Sequence, residues 1–222
     1  MPARTVPLLC LWLAGCSGLF QSKSKPEQIY YLRAPAAATT PAAPAAAIPA
    51  SLRVVRPVAD PGLDSAHIML VQGDHRMNFY SGSRWPARAP ELIEALTVQT
   101  LRTSGEWASV EDSSSPFPSD YLLQLHVRRF EADYTGSETA PVARVVFDCT
   151  LGRRQGREVL ANFTVSGEVA APANHLSQVV AAFEQATGTA LNALAQQTAQ
   201  VVHGDVQRPA QGEDEAPPSG NR

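Results

Sequence analysis

The chain has 222 residues, a net formal charge of −3 and 44% hydrophobic residues, which suffices for one well-packed domain and excludes an intrinsically disordered protein. Its 18 basic residues are outnumbered by 21 acidic ones, so it lacks the clustered excess of Lys and Arg typical of nucleic-acid-binding proteins. Nucleic acid is therefore not an expected partner. The 18 prolines and the low charged fraction of 18% indicate that part of the length is linker.

The first residues have the pattern of a bacterial lipoprotein signal. Arg4 precedes an apolar run over residues 6–14, which has the length of a signal-peptide core and is too short to span a bilayer. The run ends in Leu13-Ala14-Gly15-Cys16, where a branched apolar residue and two small residues precede a cysteine. We therefore predict a signal peptide over residues 1–15 and an acylated, palmitate-bearing Cys16 as the mature N-terminus. An ordinary secretory signal or a buried apolar segment is the alternative.

Acylation of Cys16 predicts a protein that lies on a membrane without spanning it, because each buried acyl CH₂ group contributes about 0.8 kcal/mol. Ser17 stands where inner-membrane lipoproteins usually carry aspartate, so we expect the periplasmic side of the outer membrane. Cys10 would leave with the signal. Cys149 alternates with apolar residues in a strand-like segment, which predicts a buried structural thiol and no intramolecular disulfide.

The rest of the chain divides by composition into a tether, a domain and a tail. Residues 16–28 are polar and form the expected tether, and residues 204–222 lack apolar periodicity and form the expected disordered tail. The expected domain covers residues 29–203. It starts with an apolar strand at 29–32 that docks onto the domain, followed by an Ala/Pro-rich loop over residues 34–50.

The first half of the domain reads as strands followed by a helix. Apolar, partly β-branched runs at 52–56 and 66–71 predict strands, and residues 76–80 predict the second arm of a hairpin that begins near Ile68. A helix is predicted from Pro90 to Gly105, because proline suits the first helical turn and glycine the end of a helix.

The second half predicts an antiparallel meander and a long helix. Residues 121–130, 142–151 and 158–169 alternate apolar with polar positions, and Val159 falls on the face expected to be buried. Asn174 is expected to cap a helix that runs to about Val202, with Gly188 marking a bend or a close contact. The predicted fold is α/β of the α+β type: a single domain with a mixed, mostly antiparallel sheet and two main helices, on one face or on both.

No common signature of an enzyme, a nucleotide site or a metal site occurs in the sequence. Glu131 and Asp133 share one face of a strand and could form an acid/base pair, although they read better as solubilising charges at a hairpin end. We therefore predict no catalytic residue, no cofactor and no metal ligand. Aromatic residues near element ends are the candidate partner contacts, with local packing as the alternative. They are Tyr80, Trp85 and Trp107, followed by Phe117 and Tyr134.

Several short motifs, taken in order, resemble the ABC-type transport auxiliary lipoproteins. They are the Cys16 lipobox, Tyr30-Tyr31-Leu32, Asp60-Pro61-Gly62-Leu63-Asp64, Arg84-Trp85 ahead of the Pro90 helix with its Leu101-Arg102-Thr103-Ser104-Gly105 end, Asp120-Tyr121-Leu122-Leu123-Gln124-Leu125 and Phe130-Glu131. The sequence departs from the family pattern in its long Ala/Pro stretch and in Pro86 after Trp85.

This resemblance implies a non-catalytic, outer-membrane-anchored partner of a transporter. Such transporters pair an ATPase and a permease with mammalian-cell-entry (MCE) domain proteins and move lipids or other hydrophobic molecules across the envelope. The implied partners are the MCE-domain protein with its permease and ATPase, and homo-oligomerisation is left open. The competing interpretations are an envelope-assembly or ligand-binding lipoprotein and, less favoured, a periplasmic hydrolase.

Overall fold

The computed structural model describes residues 26–35, 47–136 and 139–207, which form one mixed sheet of nine strands and two helices. This confirms the predicted single α+β domain. In chain order the elements are β1 (Gln28–Ile29), β2 (Ile48–Val54), β3 (Val58–Ala59), β4 (His67–Val71), β5 (Met77–Arg84), α1 (Ala89–Ser104), β6 (Trp107–Glu111), β7 (Tyr121–Asp133), β8 (Val142–Arg153), a 3₁₀ turn (Gln155–Arg157), β9 (Glu158–Ala170) and α2 (Leu176–Gln207).

Strand β7 is the centre of the sheet. One edge of β7 pairs antiparallel with β8, which in turn pairs antiparallel with β9. Its other edge is shared end to end by β2, β3 and β4, all of which run parallel to it. Beyond them, β6 flanks β2 in parallel, whereas β5 pairs antiparallel with β4 and parallel with β1. The antiparallel pairs are the long ones, so most of the paired length is antiparallel.

The meander β7–β8–β9 has one buried face and one solvated face, as its alternation predicts. The inward positions of β8 are all buried, and α2 packs over β8 and β9. These inward residues are Ala143, Val145, Phe147, Cys149 and Leu151. Helix and strand come closest at Gly167, where an added Cβ would overlap the carbonyl oxygen of Ala186. A glycine at this point lets the helix lie directly on the sheet.

A β-bulge near the end of the meander reverses the expected orientation of Val159. Leu151 pairs with Ala161, but the next residue, Gly152, pairs with Val159, which leaves Leu160 as the extra residue on β9. Val159 is therefore 57% exposed, and Leu160 packs against the core in its place. The expectation that Val159 lies on the buried face is wrong, because strict alternation does not hold across a bulge.

Helix α1 follows its sequence signals closely. Pro90 lies in the first turn, Glu91 adds a negative charge there, and Gly105 ends the helix in the left-handed conformation with φ of 68°. Val98, which falls outside the simple apolar stripe, is buried as well. The helix thus presents a wider apolar face than the stripe predicts.

Helix α2 differs from its expected limits at both ends. The carbonyl of His175 accepts from the backbone amides of Gln178 and Val179, so His175 occupies the capping position of the helix, which begins at Leu176. The side chain of Asn174 instead accepts a hydrogen bond from Tyr134. The prediction that Asn174 caps the helix is therefore wrong. The helix continues to Gln207, so the expected boundary after residue 203 is also wrong, and residues 208–222 lie outside the described residues.

Three further features differ from what the sequence predicts: the surroundings of Gly188, the end of the Ala/Pro-rich segment, and two short strands. Gly188 lies within the continuous helix α2, and a Cβ there would be 3.5 Å from Pro35, an ordinary contact. Residues 48–50 belong to β2, so the Ala/Pro-rich segment ends in a strand; its residues 36–46 lie outside the described residues. The short parallel strands β3 and β6 were not predicted from the sequence.

The segment before the Ala/Pro-rich stretch docks onto the domain, as expected. Strand β1 pairs with the end of β5, and the amide of Tyr30 donates to the carbonyl of Arg84 at 2.9 Å. Leu32 is buried, and Arg33 forms an ion pair with Glu184 of α2 at 3.1 Å. The domain therefore includes residues on both sides of that stretch.

Candidate functional site

Two of the three candidate contact aromatics lie in the core. Trp85 is completely buried between Phe130 and Phe183, with ring centroids 5.7 Å and 5.4 Å away. Its backbone amide donates at 2.7 Å to the carbonyl of Ala66, the residue before β4. Trp107 is 8% exposed at the start of β6, where it pairs with Ile48. The prediction that Trp85 and Trp107 are exposed contact residues is therefore wrong, and both pack locally.

Tyr80 is half-buried and belongs to a chain of hydrogen bonds. Its hydroxyl lies 2.8 Å from that of Tyr134, which donates to the side-chain oxygen of Asn174 at 2.6 Å. Since the Tyr134 proton is used in that way, Tyr80 is the donor to Tyr134. Burial, followed by this hydrogen bond, raises the pKa of Tyr80 far above its ordinary value. The chain links β5, the end of β7 and the start of α2, and a contact role for Tyr80 stays a prediction.

The carboxylates of Glu131 and Asp133 are buried, 3% and 5% exposed, so their interpretation as solubilising surface charges is wrong. Arg129 bridges them, with Nε 2.5 Å from Glu131 and a terminal nitrogen 3.0 Å from Asp133. Arg144 approaches Asp133 to 2.7 Å, and the amide of Thr135 donates to it at 2.8 Å. The two charges are therefore compensated within the sheet.

The environments of these two carboxylates shift their pKa values in opposite directions. Burial raises the pKa of Glu131 despite its contact with Arg129. Burial also acts to raise the pKa of Asp133, but hydrogen bonds from Thr135 and Arg129 outweigh it and lower the value. An acid/base pair needs such a separation. The arginines occupy the oxygens that a substrate would have to reach, which favours a structural role.

The Cys149 thiol is buried, and the side chains of His126 and His67 contact neighbouring residues. Burial, with the nearby Asp148 charge, raises the pKa of Cys149 to about 12, so the thiol stays protonated at neutral pH. His126 lies 2.8 Å from Asp60, and His67 stacks on Phe79 at 4.3 Å. Across the described ranges, no group of three or more His, Cys, Asp or Glu side chains is placed to hold a metal ion.

Exposed apolar side chains lie on β5 and in the segment around β1, a region in which only Tyr80 was predicted as a contact. Met77 and Phe79 are 46% and 44% exposed on β5, and Ile29 and Tyr31 are exposed beside its other end. Since β1 pairs with β5 only at Ser83 and Arg84, the rest of the outer edge of β5 has no strand partner among the described residues. We call these four apolar residues the β5 surface. An alternating strand pattern predicts burial as readily as exposure, so the sequence held no signal for this surface.

The lipid-attachment candidate Cys16 and the signal peptide 1–15 lie outside the described residues, as does the tether up to residue 25. None of the helices in the described ranges has the length and hydropathy needed to cross a membrane.

The family model for the ABC-type transport auxiliary lipoprotein component matches residues 30–199, which is nearly the whole described domain. The chain belongs to this family. The resemblance inferred from the motifs is thereby confirmed.

Solved structures agree with this membership. A crystal structure of a DUF330 protein from Xanthomonas campestris is 27% identical to this auxiliary lipoprotein, with a TM-score of 0.71 over 81% of this chain and 98% of that one. A second crystal structure, of an uncharacterized protein, shares the fold at 14% identity, with a TM-score of 0.55 over 82% of this chain and 99% of that one. No curated protein is significantly similar to the chain.

Proposed function

We propose that this auxiliary lipoprotein is anchored to the outer membrane, faces the periplasm, and is a non-catalytic component of an ABC transport system with an MCE-domain subunit. The system would move lipids or other hydrophobic molecules across the envelope. The observation that carries the proposal is the family match over residues 30–199, because it includes the helices and most of the sheet. The charged groups of the domain support a non-catalytic role, since their oxygens and guanidinium groups are largely engaged with one another.

The proposed anchor is Cys16. It precedes the first described residue, Pro26, by a polar stretch, and residues 16–26 could span roughly 35 Å if extended. A tether of this kind would hold the domain within reach of a partner while allowing it to reorient.

The β5 surface is the proposed contact with the MCE-domain subunit. It combines exposed apolar side chains with a strand edge that has no strand partner among the described residues, and both are features that a partner strand or apolar patch would cover. Because β5 belongs to the same sheet as the core strand β7, the surface is presented on a rigid element.

The test is co-purification from cross-linked native envelopes. The tagged full-length protein is expected to recover the MCE-domain subunit together with the permease and the ATPase. Phe79→Glu should reduce that recovery several-fold, whereas Val159→Glu, which places the same charge at an exposed valine of β9, should not. Stoichiometric recovery of an unrelated envelope assembly, with no MCE-domain subunit, would reject the proposal.

A further inference from the structure

A cleft of about 700 Å³ opens at the end of the sheet where β7 begins, β8 turns into β9, and α2 ends. Its lining comes from four separate parts of the chain: residues 49–50 of β2, residues 119–121 at the start of β7, residues around the β8–β9 turn, and Val206 of α2. Pro49, Ala50 and Val206 are its apolar part. None of the roles proposed above uses this cleft.

Three arginines line the cleft, and two of them form no ion pair within the described ranges. Arg153 is engaged, because it pairs with Asp205 of α2 and with Glu158 at 3.1 Å. Arg154 and Arg157 are exposed, and no carboxylate of the described residues lies within ion-pair distance of their guanidinium groups. Among the described residues, the lining therefore carries three arginines and one carboxylate, that of Asp120, which lies close enough to Arg154 for their charges to interact.

A buried hydroxyl also lines the cleft without a hydrogen-bond partner. Ser119 is only 5% exposed, and its Oγ makes no hydrogen bond to any of the described residues. A hydroxyl removed from water in this way is destabilising unless a partner satisfies it. The oxygen has almost no exposed surface, so a ligand in the cleft would become its partner only after a local shift of the Ser119 side chain.

The one acidic side chain among the lining residues does not occupy the arginines. The Asp120 carboxylate accepts hydrogen bonds from the backbone amide and hydroxyl of Ser51, at 2.8 Å and 2.7 Å. The backbone amide of Arg154 meanwhile donates to the carbonyl of Asp120 at 2.8 Å, which fixes the β8–β9 turn against the start of β7. The carboxylate thus ties β2 to β7 and keeps its negative charge; the hydrogen bonds from Ser51 lower the pKa of Asp120, and the nearby charge of Arg154 adds to this shift.

We infer that this cleft binds a phosphate group, with Arg154, Arg157 and the Ser119 hydroxyl as donors. Guanidinium groups are suited to phosphate because each presents several N–H donors in a fixed plane, and a phosphate group offers more strong acceptor oxygens to them than a carboxylate does. A lipid headgroup and free phosphate both carry this group. The inference does not depend on the transport role proposed above.

The experiment is isothermal titration of the detergent-solubilised full-length protein with soluble probes. The probes are inorganic phosphate, dihexanoyl phosphatidylglycerol, dihexanoylglycerol, which lacks the phosphate, and acetate. Phosphate and the phospholipid are both expected to bind, and dihexanoylglycerol and acetate are not. Binding of the phospholipid alone would assign the headgroup as the source, and equal binding of both would assign the phosphate group by itself.

The variants are chosen to keep the fold. Arg154→Gln with Arg157→Asn removes both charges, and asparagine tolerates the left-handed backbone of residue 157, where φ is 54°. Affinity should fall about tenfold for each lost charge-assisted hydrogen bond. Ser119→Ala should weaken binding while the melting temperature stays the same or rises, because it deletes an unpartnered hydroxyl. If Ser119 had only a structural role, its replacement would not weaken binding while leaving the melting temperature unchanged or higher.

The matched control is Arg56→Gln with Arg76→Gln, which removes the same charge from exposed arginines outside this cleft. The control should bind phosphate as the wild type does. The inference is overturned if phosphate and the phospholipid both fail to bind, if acetate or dihexanoylglycerol binds equally well, or if the cleft variant and the control lose affinity to the same extent.

Discussion

Burial of single side chains decides how this domain is stabilised. Trp85, Phe130 and Phe183 form an aromatic cluster that joins the end of β5, the central strand β7 and helix α2. Each ring contacts the others at centroid distances of 5.2–5.7 Å, the range in which tilted and edge-to-face pairs are favourable. Trp85 thus connects segments that are far apart in the chain.

Replacing Trp85 with alanine is expected to destabilise the domain by about 3–5 kcal/mol, because it removes a large buried ring and leaves a cavity. Phe117→Ala is the control, since Phe117 is 66% exposed and should cost less than about 0.5 kcal/mol. Urea unfolding followed by circular dichroism measures both. Equal destabilisation by the two variants would contradict the central position of Trp85.

On the solvated face of the meander, Asp148 joins three strands. It accepts from Thr164 of β9 at 2.8 Å and pairs with Arg128 of β7 at 2.9 Å. The hydrogen bond from Thr164 lowers the pKa of Asp148 below its ordinary value of 3.8, against partial burial, and the pair with Arg128 adds to the effect. A carboxyl with a lowered pKa stabilises the fold above its unfolded pKa and loses that contribution as the pH falls through its folded pKa.

Thr164→Val should therefore reduce stability at pH 7 by about 0.5–1 kcal/mol, the range for a hydrogen bond to an exposed charged group. The difference from the wild type should shrink below pH 3.8 and vanish once Asp148 is protonated in both proteins. Ser166→Ala, on the same face of β9, is the control and should show no pH-dependent difference. Urea midpoints between pH 7 and pH 2 measure the effect, and a deficit that does not shrink across this range would refute it.

At the scale of elements, the contact between α2 and β9 depends on Gly167. A side chain there would meet the backbone of Ala186, and backbone cannot move aside as a flexible side chain does. The close approach explains how a single long helix covers two strands of the meander.

Gly167→Ala is expected to cost about 3 kcal/mol or to displace α2 from the sheet, because the added methyl group overlaps a helix carbonyl. Gly73→Ala serves as the control, since a methyl group added in the β4–β5 turn would have no described atom within 4 Å. Thermal unfolding measures the stability, and near-ultraviolet circular dichroism measures the packing. Similar melting temperatures for the two variants would show that the helix does not lie as close as described.

Local periodicity was sufficient for some elements and not for others. The hairpin β4–β5, helix α1 and the meander β7–β8–β9 follow from neighbouring residues, because alternation, turn residues and helix-end signals act within a few positions. Strands β3 and β6 are short and pair in parallel with distant strands, so no nearby turn identifies them.

Local sequence patterns also do not predict whether the candidate site residues are buried. The burial of Trp85 and Trp107 depends on tertiary neighbours, and an aromatic residue at the end of an element is equally compatible with a core or a surface position. Glu131 and Asp133 lie two and four residues from Arg129 on β7, so strand alternation alone could have indicated that partner. Arg144 reaches Asp133 only through the pairing of β7 with β8, which no local pattern predicts.

For the whole molecule, the attachment proposed at Cys16 determines where the domain works. Cys16→Ala should abolish acylation and move the protein from the membrane fraction to the soluble periplasmic fraction or leave it unprocessed. Fractionation and intact mass spectrometry measure both outcomes, and Cys149→Ala is the matched control, because this buried thiol plays no part in the proposed attachment. A Cys16→Ala protein that still fractionates with membranes at wild-type levels would show that acylation is not the anchor.

The pairing of β2, β3 and β4 with a single edge of β7 affects the order in which the sheet can form. The residues of these three strands, 48–71, leave the ribosome before residues 121–133, which are the template they pair with. Until β7 is made, the three early strands lack the neighbour they share, and such non-local pairing is slow and leaves apolar edges uncovered. A fragment that ends before residue 121 should therefore lack the cooperative unfolding that circular dichroism detects for the full domain, wherever the chain folds.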